Sequence, residues 1–277
     1  MLLSNCKHSV AKLIYLIWSR SLKLGVVPSG YKSSIITPLH KKDSRAIISS
    51  NYRPVSLTSH VIRIYERVIL IRIKLVTYLE SNNLLCSHQH GFRSGHSCLT
   101  QLLHHIDDVL HYYLSGADTD SIYLDYAKAF NKVDHALLIR KLEWYGIHPH
   151  VVKWIKSFLS DRLQQVVIDG HLSLAALIIS GVPQATVLGP ILFLIFINDI
   201  YHCIKDFTIR CFADDPRISR AITCESDVKA LKEDLDAVVK WSVNNNMTLH
   251  EDKFEYKCHS ARKTNQLRHL PFVSEFY

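Results

Sequence analysis

Arg210-Cys211-Phe212-Ala213-Asp214-Asp215-Pro216 is the stretch that decides the fold. Apolar strand-like residues flank it, Phe207 to Phe212 before and Ile218 to Ile222 after. The pattern predicts a β-hairpin around Asp214-Asp215. Two adjacent carboxylates repel one another, so the pair makes most sense beside cations. A solvated turn is the commoner home for two aspartates. Working outward, Ser121 to Asp125 is a second strand candidate, Ile122-Tyr123-Leu124 ending in Asp125. Two acid-tipped strands, far apart in sequence, can meet as neighbours in one sheet. Together they can hold two Mg²⁺ ions roughly 4 Å apart.

The rest of the chain alternates helix and strand patterns. Leu13, Ile14, Leu16, Ile17 and Leu22 give a helical opening, and Ser34 to Leu39 is extended. Val61 to Leu79 is helical and apolar. Leu99, Leu102, Leu103, Ile106, Val109, Leu110 and Tyr113 recur every three or four residues, which predicts a helix with a buried apolar face. Helices are predicted from Asp134, as N-cap, and over 149–159. Asp169-Gly170 between apolar runs marks another hairpin. Leu188 to Cys203 reads as a buried helix, Asp227 to Trp241 as an amphipathic one, and Lys253 onward as strand. The sum is an α+β fold, an antiparallel sheet backed by helices, with a helical N-terminal subdomain.

Composition narrows the function. The chain has 277 residues, 48% of them hydrophobic, with a formal charge of +8. A basic balance favours a polyanionic partner such as nucleic acid. The seven cysteines are scattered without a C-x-x-C pair, which argues for reduced thiols and against a zinc knuckle or disulfide scaffold. No signal peptide is apparent, and the longest apolar run, Val187 to Ile197, is too short to span a bilayer.

Six segments, in order, resemble the reverse transcriptases of non-LTR (LINE-like) retrotransposons. YLDYAKAFNKVDHALLIRKL (123–142) resembles the segment with the first catalytic aspartate, and RCFADDP (210–216) the one with the aspartate pair. SGVPQATVLGPILFLIFINDI (180–200) is similar to the segment that positions nucleotide and template. NYRPVSLTSHVIRIYERVI (51–69) and SHQHGFRSGHSCLTQLL (87–103) resemble the fingers, and WSVNNNMTLHEDKFEYKC (241–258) the palm after the aspartate pair. The resemblance runs from about residue 13 to about 270. It implies a right-hand polymerase: helices and fingers over 1–118, palm over 119–260, and the truncated start of the palm-to-thumb region over 261–277, with the thumb missing.

The implied activity is RNA-directed DNA polymerisation, nucleotidyl transfer from dNTPs to a primer 3′-OH, with an RNA template and a DNA primer as partners and two Mg²⁺ ions as cofactors, Mn²⁺ able to substitute. By resemblance, Asp125 and Asp214 ligate both metals and Asp215 supports them. Phe130 sits under the nucleotide sugar and clashes with a ribose 2′-OH, Gln184 lines the nucleotide pocket, and Arg53 reaches the triphosphate with its guanidinium fork. Lys253 acts near the pyrophosphate. Lys41 and Lys42 track template phosphates, and Arg93, in the polar stretch 89–93, contacts the strand near a Gly91 that permits close approach.

This chain departs from the family in four residues at three sites. Asn131 stands for the usual aspartate after the gate residue, Ala185-Thr186 for Gly-Ser after the pocket glutamine, and Pro216 for threonine after the aspartate pair. Alanine is strained where φ is positive, and proline deletes a ladder bond. With thumb and upstream endonuclease absent as well, the alternative expectation is a degenerate copy that binds nucleic acid without polymerising. The family habit of priming at chromosomal DNA implies an intracellular, nuclear location without membrane contact.

Overall fold

The computed structural model describes residues 7–40, 51–68, 71–204, 208–250 and 253–260. Lys41 and Lys42 lie outside the described residues. In chain order the elements are α1 (Lys7–Leu24), β1 (Ser33–His40), β2 (Tyr52–Thr58), α2 (His60–Val68), α3 (Ile71–Ser81), α4 (Cys98–Leu114), β3 (Asp118–Tyr123), α5 (Ala129–Lys132), α6 (His135–Trp144), α7 (Pro149–Leu159), β4 (Arg162–Ile168), β5 (His171–Leu172), β6 (Ala176–Ile178), α8 (Gly189–Ile197), β7 (Thr208–Phe212), β8 (Asp215–Ile222), α9 (Glu225–Asn244) and β9 (Glu255–His259). The chain splits into two compact units, each made of two stretches.

The first unit holds Met1–Leu84 and Asp134–Leu192. Its sheet runs β2-β1-β4-β5, with β6 also paired to β4. β1 is antiparallel to β2 and parallel to β4. Asp169 and Gly170 join β4 to β5 at φ 48° and 82°, the left-handed pair that a two-residue hairpin turn needs. Asp134 caps α6 as its sequence position predicts, accepting from Leu137 N at 2.9 Å. Trp154 and Phe158 of α7 are fully buried, and Trp154 Nε1 donates to Ser21 of α1. On α1 itself Trp18 is buried, while Leu13, Leu16 and Ile17 are exposed.

The second unit holds Leu85–Val133 and Phe193–Tyr277. Its antiparallel sheet has the order β7-β8-β3-β9, so the two acid-bearing strands are central neighbours. Ile122 and Ile218 form one buried face, and α9 packs against β8. The chain passes between the units within α8, whose residues Ile191 to Ile197 are all buried, as a helix apolar on every side must be.

One prediction is corrected here. α4 is a helix, but its apolar stripe is not its buried face. Leu99, Leu102, Leu103, Ile106, Leu110 and Tyr113 are all exposed, whereas Gln101 and His105 are buried. The polar face docks because the sheet beneath it is polar. Asp108 forms a two-pronged ion pair with Arg210 of β7, at 2.6 and 2.9 Å. His105 Nδ1 lies 3.5 Å from Ser219 Oγ, and Gln101 Nε2 donates to Arg210 O at 3.5 Å. A charge-assisted, bidentate pair is among the stronger polar contacts, and it sets which face of α4 turns inward.

Candidate active site

β3 and β8 pair in the register Ile122↔Ile218 and Tyr123↔Arg217. Leu124 N then donates to Pro216 O at 3.0 Å, one step further along. That register sets Asp125 across from Asp215. The hairpin turn falls one residue earlier than the sequence predicts: β7 and β8 end on Phe212↔Asp215, which leaves Ala213 and Asp214 as the two turn residues. Asp214 therefore sits in the turn and Asp215 begins the strand.

The three carboxylates feel one another. Burial pushes the Asp214 carboxyl up to about 6, with Asp215 and then Asp125 adding to the rise and Lys253 opposing it. Asp215 is also raised, by desolvation and by the charge of Asp125. Lys253 answers part of this charge, its ammonium donating to Asp125 Oδ2. The backbone of the same segment delivers it there. His250 N donates to Asp125 O at 2.8 Å and Ala127 N to Thr248 O at 2.8 Å, tying the chain before β9 to the end of β3.

A cavity of about 440 Å³ opens beside these groups, lined among others by Gln101, Tyr123, Asp125, Asp215, Arg217 and Lys253. Two cations lie near the Tyr123 ring: the Arg217 guanidinium is 4.5 Å from its centroid and the Lys257 ammonium 4.9 Å. Among the described residues, no group of three or more His, Cys, Asp or Glu stands ready in metal-holding geometry. The donor set nonetheless suits a hard cation. It is all carboxylate oxygen, it is partly desolvated, and its mutual repulsion is relieved by positive charge.

The other expected residues fall as follows. Phe130, on α5, is half-buried and stacks on Phe193 (centroids 4.3 Å apart), with Phe92 edge-on at 6.0 Å. Arg93 Nη1 donates to Cys86 O at 2.6 Å and Gln89 O at 3.4 Å, so it helps hold its own loop. Arg53 and Gln184 belong to the first unit. Arg53 is exposed in β2, opposite Leu39, and Gln184 is half-buried in the turn before α8. Ala185 in that turn has φ 63°, so the departure from glycine does place a side chain at a left-handed position. Pro216 also carries its expected cost. Residues of a hydrogen-bonded antiparallel pair exchange two bonds, and the return bond from residue 216 to Leu124 O is the one proline removes.

Two residues escaped the sequence reading. Glu66, buried on α2, accepts from Val187 N at 2.5 Å and Leu188 N at 2.9 Å, pinning the end of the Gln184 turn. Gln89, buried as well, accepts from Ala213 N at 2.8 Å. Nothing local in the sequence marks either one, because both act on backbone more than a hundred residues away.

The profile of the family described as reverse transcriptase (RNA-dependent DNA polymerase) matches residues 39–271. The chain belongs to this family. It is similar to RNA-directed DNA polymerases of mobile elements. It is 30% identical over 271 residues to the RNA-directed DNA polymerase from mobile element jockey of Drosophila melanogaster, covering 95% of this chain and 29% of that protein. To the probable RNA-directed DNA polymerase from transposon X-element of the same fly it is 28% identical over 255 residues, covering 90% of this chain and 28% of the relative. The reverse transcriptase chain thus spans under a third of the length of these relatives. Among solved structures it resembles apo telomerase from Candida tropicalis, truncated from its C-terminal domain. That likeness has a TM-score of 0.60 and 14% identity over 90% of this chain and 53% of the other, and it supports the fold alone. An α+β architecture with an antiparallel, helix-backed sheet agrees with a reverse transcriptase palm. Among the described residues no helix is long and apolar enough to cross a membrane.

Proposed function

We propose that this chain is the polymerising domain of a non-LTR retrotransposon protein, extending a DNA primer on an RNA template with dNTPs. The observation that carries the reading is the meeting of Asp125 with Asp214-Asp215 on adjacent strands, with Lys253 beside them. Asp125 and Asp214 are the residues to hold two divalent ions, with Asp215 in support. Such ions, when bound, lower the charge of a triphosphate and activate a primer hydroxyl.

The side chains take the remaining tasks. Lys253 sits on a mobile four-carbon stem that lets it serve Asp125 or the departing pyrophosphate. Phe130, backed by Phe193, presents a rigid ring that selects deoxyribose. Arg53 and Gln184 are proposed for the triphosphate and the nucleotide pocket, Lys41, Lys42 and Arg93 for the template strand, and chromosomal DNA in the nucleus for the site of action. Strain at Ala185 and the bond lost at Pro216 favour a rate below that of a parent with glycine and threonine there.

The test is primer extension on an RNA template with all four dNTPs, in Mg²⁺ and in Mn²⁺, against Asp214→Asn. Extension that disappears in the variant supports the reading. Salt-sensitive RNA binding with no extension in either protein would replace it with a nucleic-acid-binding remnant of the polymerase fold.

A further inference from the structure

We infer that Gln89 is a positioning residue whose carboxamide sets the backbone of the aspartate turn and so the place of Asp214. The β7–β8 ladder stops at Phe212↔Asp215, so Ala213 has no ladder partner for either its N–H or its C=O. Gln89 supplies both. Its Oε1 accepts from Ala213 N at 2.8 Å, and its Nε2 donates to Ala213 O at 3.3 Å. The same Oε1 accepts from Gly91 N at 2.8 Å, which fixes the carboxamide's own orientation.

The loop carrying Gln89 is itself fastened to β7. His90 N donates to Cys211 O at 2.9 Å and Cys211 N to His88 O at 3.0 Å, so residues 88–90 run as a short parallel bridge on that edge. Gly91 then passes so close that a Cβ there would stand 2.4 Å from Ala213 N. Ala213 is held at φ 55°, a conformation that costs an alanine roughly 1 kcal/mol. A buried glutamine can satisfy its polar atoms in many places. Both ends of this carboxamide meet the strained residue immediately before Asp214, and a turn without those bonds has other backbone geometries open to it. The consequence for the reaction rests on the polymerase reading above; the consequence for the turn does not.

The test uses the whole chain with Gln89→Met, which keeps the shape and loses the bonds, and Gln89→Glu, which keeps the acceptor. Three quantities are read: amide exchange at Ala213 and Asp214, Mn²⁺ affinity, and steady-state extension. Gln89→Met should speed exchange at Ala213 and weaken Mn²⁺ binding, each roughly tenfold, the equivalent of about one hydrogen bond. It should lower kcat by a comparable factor with the KM for dNTP little changed, and Gln89→Glu should fall between parent and Gln89→Met. Should Gln89→Met not fold, faster exchange than in the parent, confined to residues 213–214 of folded Gln89→Glu, still supports the clamp. Unchanged exchange and Mn²⁺ affinity in a folded variant would overturn it. A parent that never extends a primer would sink the polymerase reading alone, leaving exchange and Mn²⁺ affinity to decide the role of Gln89.

Discussion

Among the described residues two tight turns are built on a left-handed alanine, one in each unit, and they are held in different ways. Ala213 (φ 55°) is gripped at its own N–H and C=O by Gln89. Ala185 (φ 63°) receives a single 3.4 Å bond to its carbonyl from Arg63, while Glu66 anchors the chain two and three residues later. The strain is alike; the restraint is not. In the first case the residue before a proposed metal ligand is itself fixed. In the second, the frame around Gln184 is fixed and the strained residue lies exposed between anchors.

The largest break in this comparison is expected from Glu66→Ala. Two backbone amides lose their acceptor, and the buried Arg162 nearby loses a negative neighbour. The cost should be about 3 kcal/mol or more in a denaturant titration. A loss under 1 kcal/mol would show that the second turn does not depend on its anchor.

Asp214→Asn comes next, with the opposite sign. The folded carboxyl titrates near 6, above its ordinary value, so the folded state holds the proton more tightly than the unfolded one. Its contribution is therefore intact at acid pH and declines as pH rises through 6. In metal-free buffer the variant should be more stable than the parent at pH 7, on the order of 2 kcal/mol, and equal to it near pH 4. Thermal melts at the two pH values decide this, and a gain that persists at pH 4 would contradict it.

Smaller still is Pro216→Thr, which restores an N–H opposite Leu124 O between the acid-bearing strands. About 1 kcal/mol of added stability is expected, seen as new exchange protection at residue 216. Smallest are Ala185→Gly and Ala213→Gly, each relieving αL strain by about 1 kcal/mol or less after the entropy cost of glycine. Only the second should alter Mn²⁺ affinity. Equal effects of the two on Mn²⁺ binding would erase the distinction between the turns.

Much of this was legible in advance. The acid-tipped strands, the capped α6, the Asp169-Gly170 hairpin and the buried α8 follow from local signals: apolar period, turn residues and caps. That Asp125 and Asp214-Asp215 come together in one sheet was readable from the two apolar strand patterns that flank them; the metal roles proposed for them come from the family resemblance. What failed was orientation. The apolar stripe of α4 marks a helix correctly, yet Arg210 demands Asp108 beneath it, and that demand lies 102 residues away in sequence. The turn slipped by one residue because periodicity cannot see register, and Pro216 gave no hint that a central strand would begin before it. Gln89 and Glu66 were invisible as anchors because backbone recognition by a buried side chain leaves no motif.

The most direct measurement is Mn²⁺ binding to the chain by electron paramagnetic resonance, in parent, Asp125→Asn and Asp214→Asn, across pH 5 to 8. If the three carboxylates form the cation site, the parent binds Mn²⁺, affinity falls as pH drops through about 6 where Asp214 takes up its proton, and each variant loses binding by roughly tenfold or more. Equal, pH-independent binding in all three proteins would contradict it.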